Sequence, residues 1–223
     1  MKIAGEVLAL LKADILLEWR NRTAINGILL YLTSIVFICY LSFNYQNNIV
    51  SEATWNALFW IIILFSAVNA VAKSFIQVNP GRILYLYTLS SPQGIILSKI
   101  IYNTLLLIFL GLIGFLFYLV VLGNPVGNTS LFVFNLLLAS IGFSSILTMT
   151  SGIAARANHS TVLMAILSFP VILPLLFIAM KISAHALDDL DLSASYDELA
   201  VLLAINVIVL TISYMLFPFL WRS

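Results

Sequence analysis

Six stretches free of Asp, Glu, Lys and Arg run through the chain, at about 24–43, 53–72, 100–122, 129–152, 160–180 and 199–220. Each is close to the roughly 20 apolar residues that cross a hydrocarbon core as a helix. In lipid every backbone amide must be satisfied within its own segment, so each stretch is expected to be an α-helix. Short polar separators join them at 44–52, 73–99, 123–128, 153–159 and 181–198. The pattern predicts an all-α integral membrane protein of one domain, 1–223, with six spans. No internal repeat or low-complexity linker interrupts it.

Composition agrees with this pattern: 62% of residues are hydrophobic, 9% are charged and the mean hydropathy is +1.11. A soluble domain carries about 25% charged residues, and the separators are too short to hold one. The net charge of +1 and the lack of a basic tract argue against a nucleic-acid partner. The first apolar stretch follows Glu6, Asp14 and Glu18, unlike a cleavable signal peptide with its short basic start. That span is therefore expected to stay in the mature protein. Cys39 lies within an apolar stretch and reads as packing, since a free cysteine behaves as a small hydrophobe.

Charge decides orientation. Lys2, Lys12, Arg20, Arg22, Lys73, Arg82, Lys99, Arg156 and Arg222 fall on one side of a six-span topology, and only Lys181 on the other. Cytoplasmic loops retain Lys and Arg, which places both termini in the cytoplasm. Six acidic residues, Glu52, Asp188, Asp189, Asp191, Asp197 and Glu198, lie opposite.

Two segments on the basic side exceed what topology requires. Residues 2–22 have helix-forming composition without one clean polar face, and are expected to form an interfacial helix covered partly by protein and partly by lipid. Glu18, Trp19, Arg20 and Arg22 close it, the tryptophan suiting the headgroup level. Residues 73–99 hold turn signals at Pro80-Gly81 and at Pro92, with a short aromatic piece between them. Such a piece cannot span the bilayer, and docking onto a soluble partner is favoured over burial in lipid. Its candidate contact residues are Ser74, Gln77, Asn79, Pro80, Gly81, Arg82, Ser90 and Pro92.

Within the spans, 129–152 is rich in Gly, Ala and Ser, which let helices approach closely in lipid. It is expected inside the bundle or at a dimer seam. Pro170 and Pro174 favour a kink in the fifth span; a bent helix lining a pathway and an ordinary span tolerant of proline both stay open. The outer segment at 181–198 reads as a solvated acidic loop or a short surface helix.

The missing chemistry is equally informative. The apolar stretches hold no ionisable pair of the kind an ion-coupled carrier uses, and no phosphate-binding Gly-x-x-x-x-Gly-Lys-Ser/Thr motif occurs. His159 and His185 fall on opposite sides and cannot share one haem or metal. No catalytic, cofactor-binding or metal-ligating set emerges, so a non-enzyme is expected. If the chain works in powered transport, the power comes from another polypeptide.

Three pieces of sequence carry a resemblance. They are Glu18-Trp19-Arg20-Asn21-Arg22, the loop closing as Leu89-Ser90-Ser91-Pro92-Gln93-Gly94-Ile95-Ile96-Leu97-Ser98-Lys99, and the fifth span with Phe169-Pro170-Val171-Ile172-Leu173-Pro174-Leu175-Leu176-Phe177. Together they resemble CcmB, the haem exporter protein B family of cytochrome c maturation. The resemblance implies a permease of the ABC-2 exporter type in the bacterial inner membrane. It implies an ATPase partner, CcmA, which binds the ATP, further partners CcmC and CcmD, the haem chaperone CcmE, and a homodimeric or pseudo-symmetric permease. Haem is then handled by the complex rather than bound by this chain, and residues 74–92 carry a coupling helix. Many family members place acidic residues in that loop; none stands between Lys73 and Lys99 here. An ABC-2 permease for a lipid, polysaccharide or drug is the rival within transporters, and a passive membrane scaffold the rival from another class.

Overall fold

A computed structural model describes residues 2–21, 23–45, 50–72, 75, 90–156 and 161–222. Seven α-helices follow one another among these residues: α1 Lys2–Asn21, α2 Thr23–Tyr45, α3 Glu52–Val71, α4 Pro92–Leu122, α5 Thr129–Arg156, α6 Thr161–Leu187 and α7 Tyr196–Arg222. A short 3-10 turn, Leu192–Ser195, precedes α7. Helices α2 to α7 are the six long and apolar enough to cross a membrane. The chain is an all-helical, multi-pass membrane protein.

Helix boundaries follow local chemistry. Ser51 caps α3, its hydroxyl accepting from the Thr54 amide at 3.3 Å, with Glu52 in the first turn. Asn128 caps α5 in the same way, accepting from the Leu131 amide at 3.0 Å. Both arrangements satisfy amides that have no partner inside their helix. Gly123, at φ 85°, closes α4 in a backbone region that side chains with a Cβ seldom enter. Helix α4 begins at Pro92, well before the apolar stretch at 100–122. Pro92 is the first helical residue, where its missing N–H costs nothing, and Ser91 is the cap. The turn signal thus marks a helix start.

Helices α2 to α7 run alternately up and down, so the bundle has a terminal end, where α3, α5 and α7 finish and α4 and α6 begin, and a distal end. Helix α5 is the central element, packed against α3, α4, α6 and α7. Ala139, Ser140, Ser144, Ser145 and Ser151 are buried on it. Of the two places expected for this helix, the centre of the bundle is the one observed. At Gly142 a Cβ would lie 2.1 Å from Leu175 Cδ1 and 2.5 Å from Asn206 Oδ1, so any larger residue there would have to displace side chains of both α6 and α7. Asn206 also donates to the Leu138 carbonyl at 3.0 Å.

Helix α6 is continuous through Pro170 and Pro174. Both prolines are exposed, while Ser168, Ile172, Leu175 and Ala179 point inward. The helix faces the bundle with its regular side, and its prolines line no interior path among the described residues.

Candidate functional site

Polar chemistry at the terminal end gathers where α1 lies along α4. The two helices run in the same direction and share three contacts. Glu6 accepts from the Ser91 amide and, at 2.8 Å, from the Ser91 hydroxyl. Asp14 grips Lys99 Nζ with both oxygens, at 3.0 and 2.9 Å. Glu18 lies beside Tyr102. Asp14 and Lys99 are both buried, which is tolerable for charges only when they are paired. Glu6 also places a negative charge at the positive end of the α4 dipole, over amides the helix cannot satisfy itself. Gly94 makes room for it: a Cβ there would meet Glu6 Cδ at 3.0 Å.

Helix α1 is therefore inverted in its amphipathicity. Glu6, Asp14 and Glu18 share the side turned to α4 with Val7, Leu10 and Leu11, whereas Leu8, Ile15 and Leu16 are exposed at 53, 42 and 68%. The sequence concealed this face because its acids alternate with apolar residues that are buried beside them. An apolar outer side suits a helix at the lipid boundary. The signal that could have revealed the arrangement was the acidic trio itself, in a segment whose topology called only for cations.

A second contact set holds the start of the segment between α3 and α4. Phe75 is buried against Phe217 of α7, ring centroids 5.5 Å apart, within a cluster that includes Ile95, Ile96 and Ile100 of α4 and Met149 of α5. Below it, the Asn103 amide donates to Thr148 at 2.7 Å and the Ser144 hydroxyl to the Ile100 carbonyl at 2.8 Å, joining α4 to α5. Of the sequence-predicted loop residues, Ser90 and Pro92 flank the Ser91 cap. Ser74, Gln77, Asn79, Pro80, Gly81 and Arg82 lie outside the described residues, as do Arg22 and His159. Trp19 and Arg20 belong to the last turn of α1.

The distal end carries a different arrangement. Trp60 Nε1 donates to Ser183 Oγ at 2.6 Å, and Asn135 Nδ2 donates to the Ala179 carbonyl at 2.7 Å and to Ser183 at 3.1 Å. Asn56 Nδ2 donates to the Met180 carbonyl at 2.9 Å. His185 is hydrogen-bonded through Nδ1 to Ser195 at 2.8 Å, tying the 3-10 turn to α6.

The family described as CcmB protein matches residues 5–220, almost the whole chain and all three contacts of the α1–α4 seam. The chain belongs to the CcmB family. Among curated proteins none matches the sequence. CcmB proteins are membrane subunits of the cytochrome c maturation ABC transporter, a transport complex of several polypeptides, and form a permease family. For a CcmB chain, the terminal-end contacts matter because they hold both ends of the segment that the sequence offers to a soluble partner.

Proposed function

We propose that this chain is the ABC-2-type permease of its complex. It takes up mechanical input from a partner ATPase through residues 74–92 and passes it to haem delivery or to release of a haem-loaded chaperone. The observation that carries this reading is the attachment of that segment at both described ends, Phe75 to α4, α5 and α7, and Ser91 to α1. A docking element must be fixed to what it moves, because a partner shifts an equilibrium only through contacts that differ between the two states. The partners are an ATPase of the CcmA kind, with CcmC, CcmD and CcmE, and the permease works as a homodimer or a pseudo-symmetric pair. ATP enters through the ATPase subunit, and this chain holds no cofactor of its own. The excess of Lys and Arg at the terminal end supports a bacterial inner-membrane orientation with both termini cytoplasmic, and the whole chain acts as one permease domain.

The test is co-purification of the ATPase subunit with the tagged chain, repeated for Gly81→Trp, Arg82→Glu and Pro92→Ala. Association is expected to fall for the first two above all. Unchanged association in all three variants overturns the docking assignment. Normal cytochrome c production with a hydrolysis-dead ATPase would favour a passive scaffold instead.

A further inference from the structure

The seam between α1 and α4 holds more charge than a membrane-surface helix needs to stay in place. Helix α1 precedes α2 directly in the chain, yet it packs along α4 and only slightly against α2. Its three carboxylates meet Ser91, Lys99 and Tyr102 in one parallel register, the first two contacts eight residues apart on each helix. Apolar side chains slide past one another at little cost, whereas a slip of one turn here would break all three contacts and separate the buried Lys99 from Asp14.

We infer that Glu6, Asp14 and Glu18 are positioning residues that join α1 and the first turns of α4 into one moving body. Movement of residues 74–92 is then carried by α1 as well as by α4, and α1 follows the helix it is bonded to rather than the helix it is covalently next to. Ser91 is the junction: its hydroxyl donates to Glu6 while accepting from the Gly94 amide at 3.1 Å, so the α4 cap and the α1 contact are one hydrogen-bonded unit. This inference rests on the reading that an ATPase acts at that segment, and it adds which helices respond.

The experiment uses the full chain in its complex, in a Cys39→Ser background carrying Glu6→Cys and Ser91→Cys. A short bifunctional methanethiosulfonate bridges the two thiols, and dithiothreitol removes the bridge. The two substitutions remove the Glu6–Ser91 junction and the bridge restores it, so the bridged complex is expected to hydrolyse ATP and release its chaperone faster than after reduction. Loss of turnover on bridging, restored by dithiothreitol, would show that the seam opens in each cycle and would overturn the inference.

A second arm addresses variants that fail to fold. Asp14→Lys and Lys99→Asp are each expected to lose most cytochrome c production while still co-purifying with the ATPase, and the double exchange is expected to recover a large part of it. No recovery, at matched protein abundance, counts against a paired seam. If the parent chain binds no ATPase at all, the coupling reading fails, whereas efficient bridging of the two cysteines would still confirm the seam's register.

Discussion

The two ends of the bundle are held by opposite kinds of force. At the distal end Trp55, Phe59, Trp60, Phe115, Tyr118 and Phe132 are buried together, with Phe115 and Phe132 stacked at 4.6 Å and Trp55 against Tyr118 at 4.7 Å. Neutral amides and hydroxyls complete that end and join α3, α5 and α6. At the terminal end a bidentate ion pair and two further carboxylate contacts hold one peripheral helix, beside a smaller apolar cluster. Lipid tails are as apolar as the side chains, so helices associate through close packing and interhelical hydrogen bonds rather than hydrophobic burial. Interlocked rings have many contacts and no low-cost alternative arrangement. Charged contacts fix one register, so the helices they join move as a unit. On the proposed coupling the distal end is the fixed end and the terminal end the transmitting one.

The largest effect is expected where the rigid end is emptied. Trp60→Ala removes a fully buried ring and the indole donor to Ser183, and should destabilise the bundle by roughly 3–5 kcal/mol. Trp60→Phe keeps most of the volume and loses the hydrogen bond with the outer part of the ring, costing about 1–2 kcal/mol. Denaturant titration of the detergent-solubilised chain measures both. Equal costs for the two variants would mean that the hydrogen bond, not ring packing, holds this end.

A middle-sized effect is expected at the seam. Asp14→Ala takes the bidentate carboxylate from the buried Lys99, but α1 can detach and let the ammonium reach the headgroup region, so the loss should stop at roughly 1.5–3 kcal/mol. Hydrogen exchange should show it as faster exchange in α1 and the first turns of α4, with the distal end unaffected. Asp14→Leu combined with Lys99→Met removes both charges and is expected to regain stability without regaining cytochrome c production. Exchange that rises throughout the bundle would erase the distinction between a fixed and a transmitting end.

The hydrophobic pattern made the six membrane helices legible, because each backbone group in lipid has one solution. It also narrowed α5 to the bundle interior or a dimer seam, through residues such as Ala139, Ser140 and Gly142, but did not choose between them. Partnership was not legible. Glu6 and Ser91 are 85 positions apart, and nothing local says that a carboxylate in one helix completes the cap of another. The face of α1 was obscured because Asp14 is buried among leucines, where pairing with Lys99 overrides the usual rule that charge faces water. Pro92 misled for a different reason: the same residue serves as a turn former and as a first helical residue, and Ser91 in front of it decides which.

The smallest effect should come from an ion pair at the distal end. Lys181 and Glu198 approach to 2.8 Å, yet the lysine side chain is 53% exposed. Solvent screening and the entropy of holding a long side chain leave such a pair worth about 0–0.5 kcal/mol. Lys181→Met is therefore expected to leave the denaturation midpoint nearly unchanged, in low salt and in high. Its bonds do not hold α6 to α7; that is the work of Gly142 lying against Leu175 and Asn206, which salt does not touch. A salt-sensitive loss as large as that of Asp14→Ala would show charge holding both ends alike, and the contrast between a closed end and a transmitting one would fail.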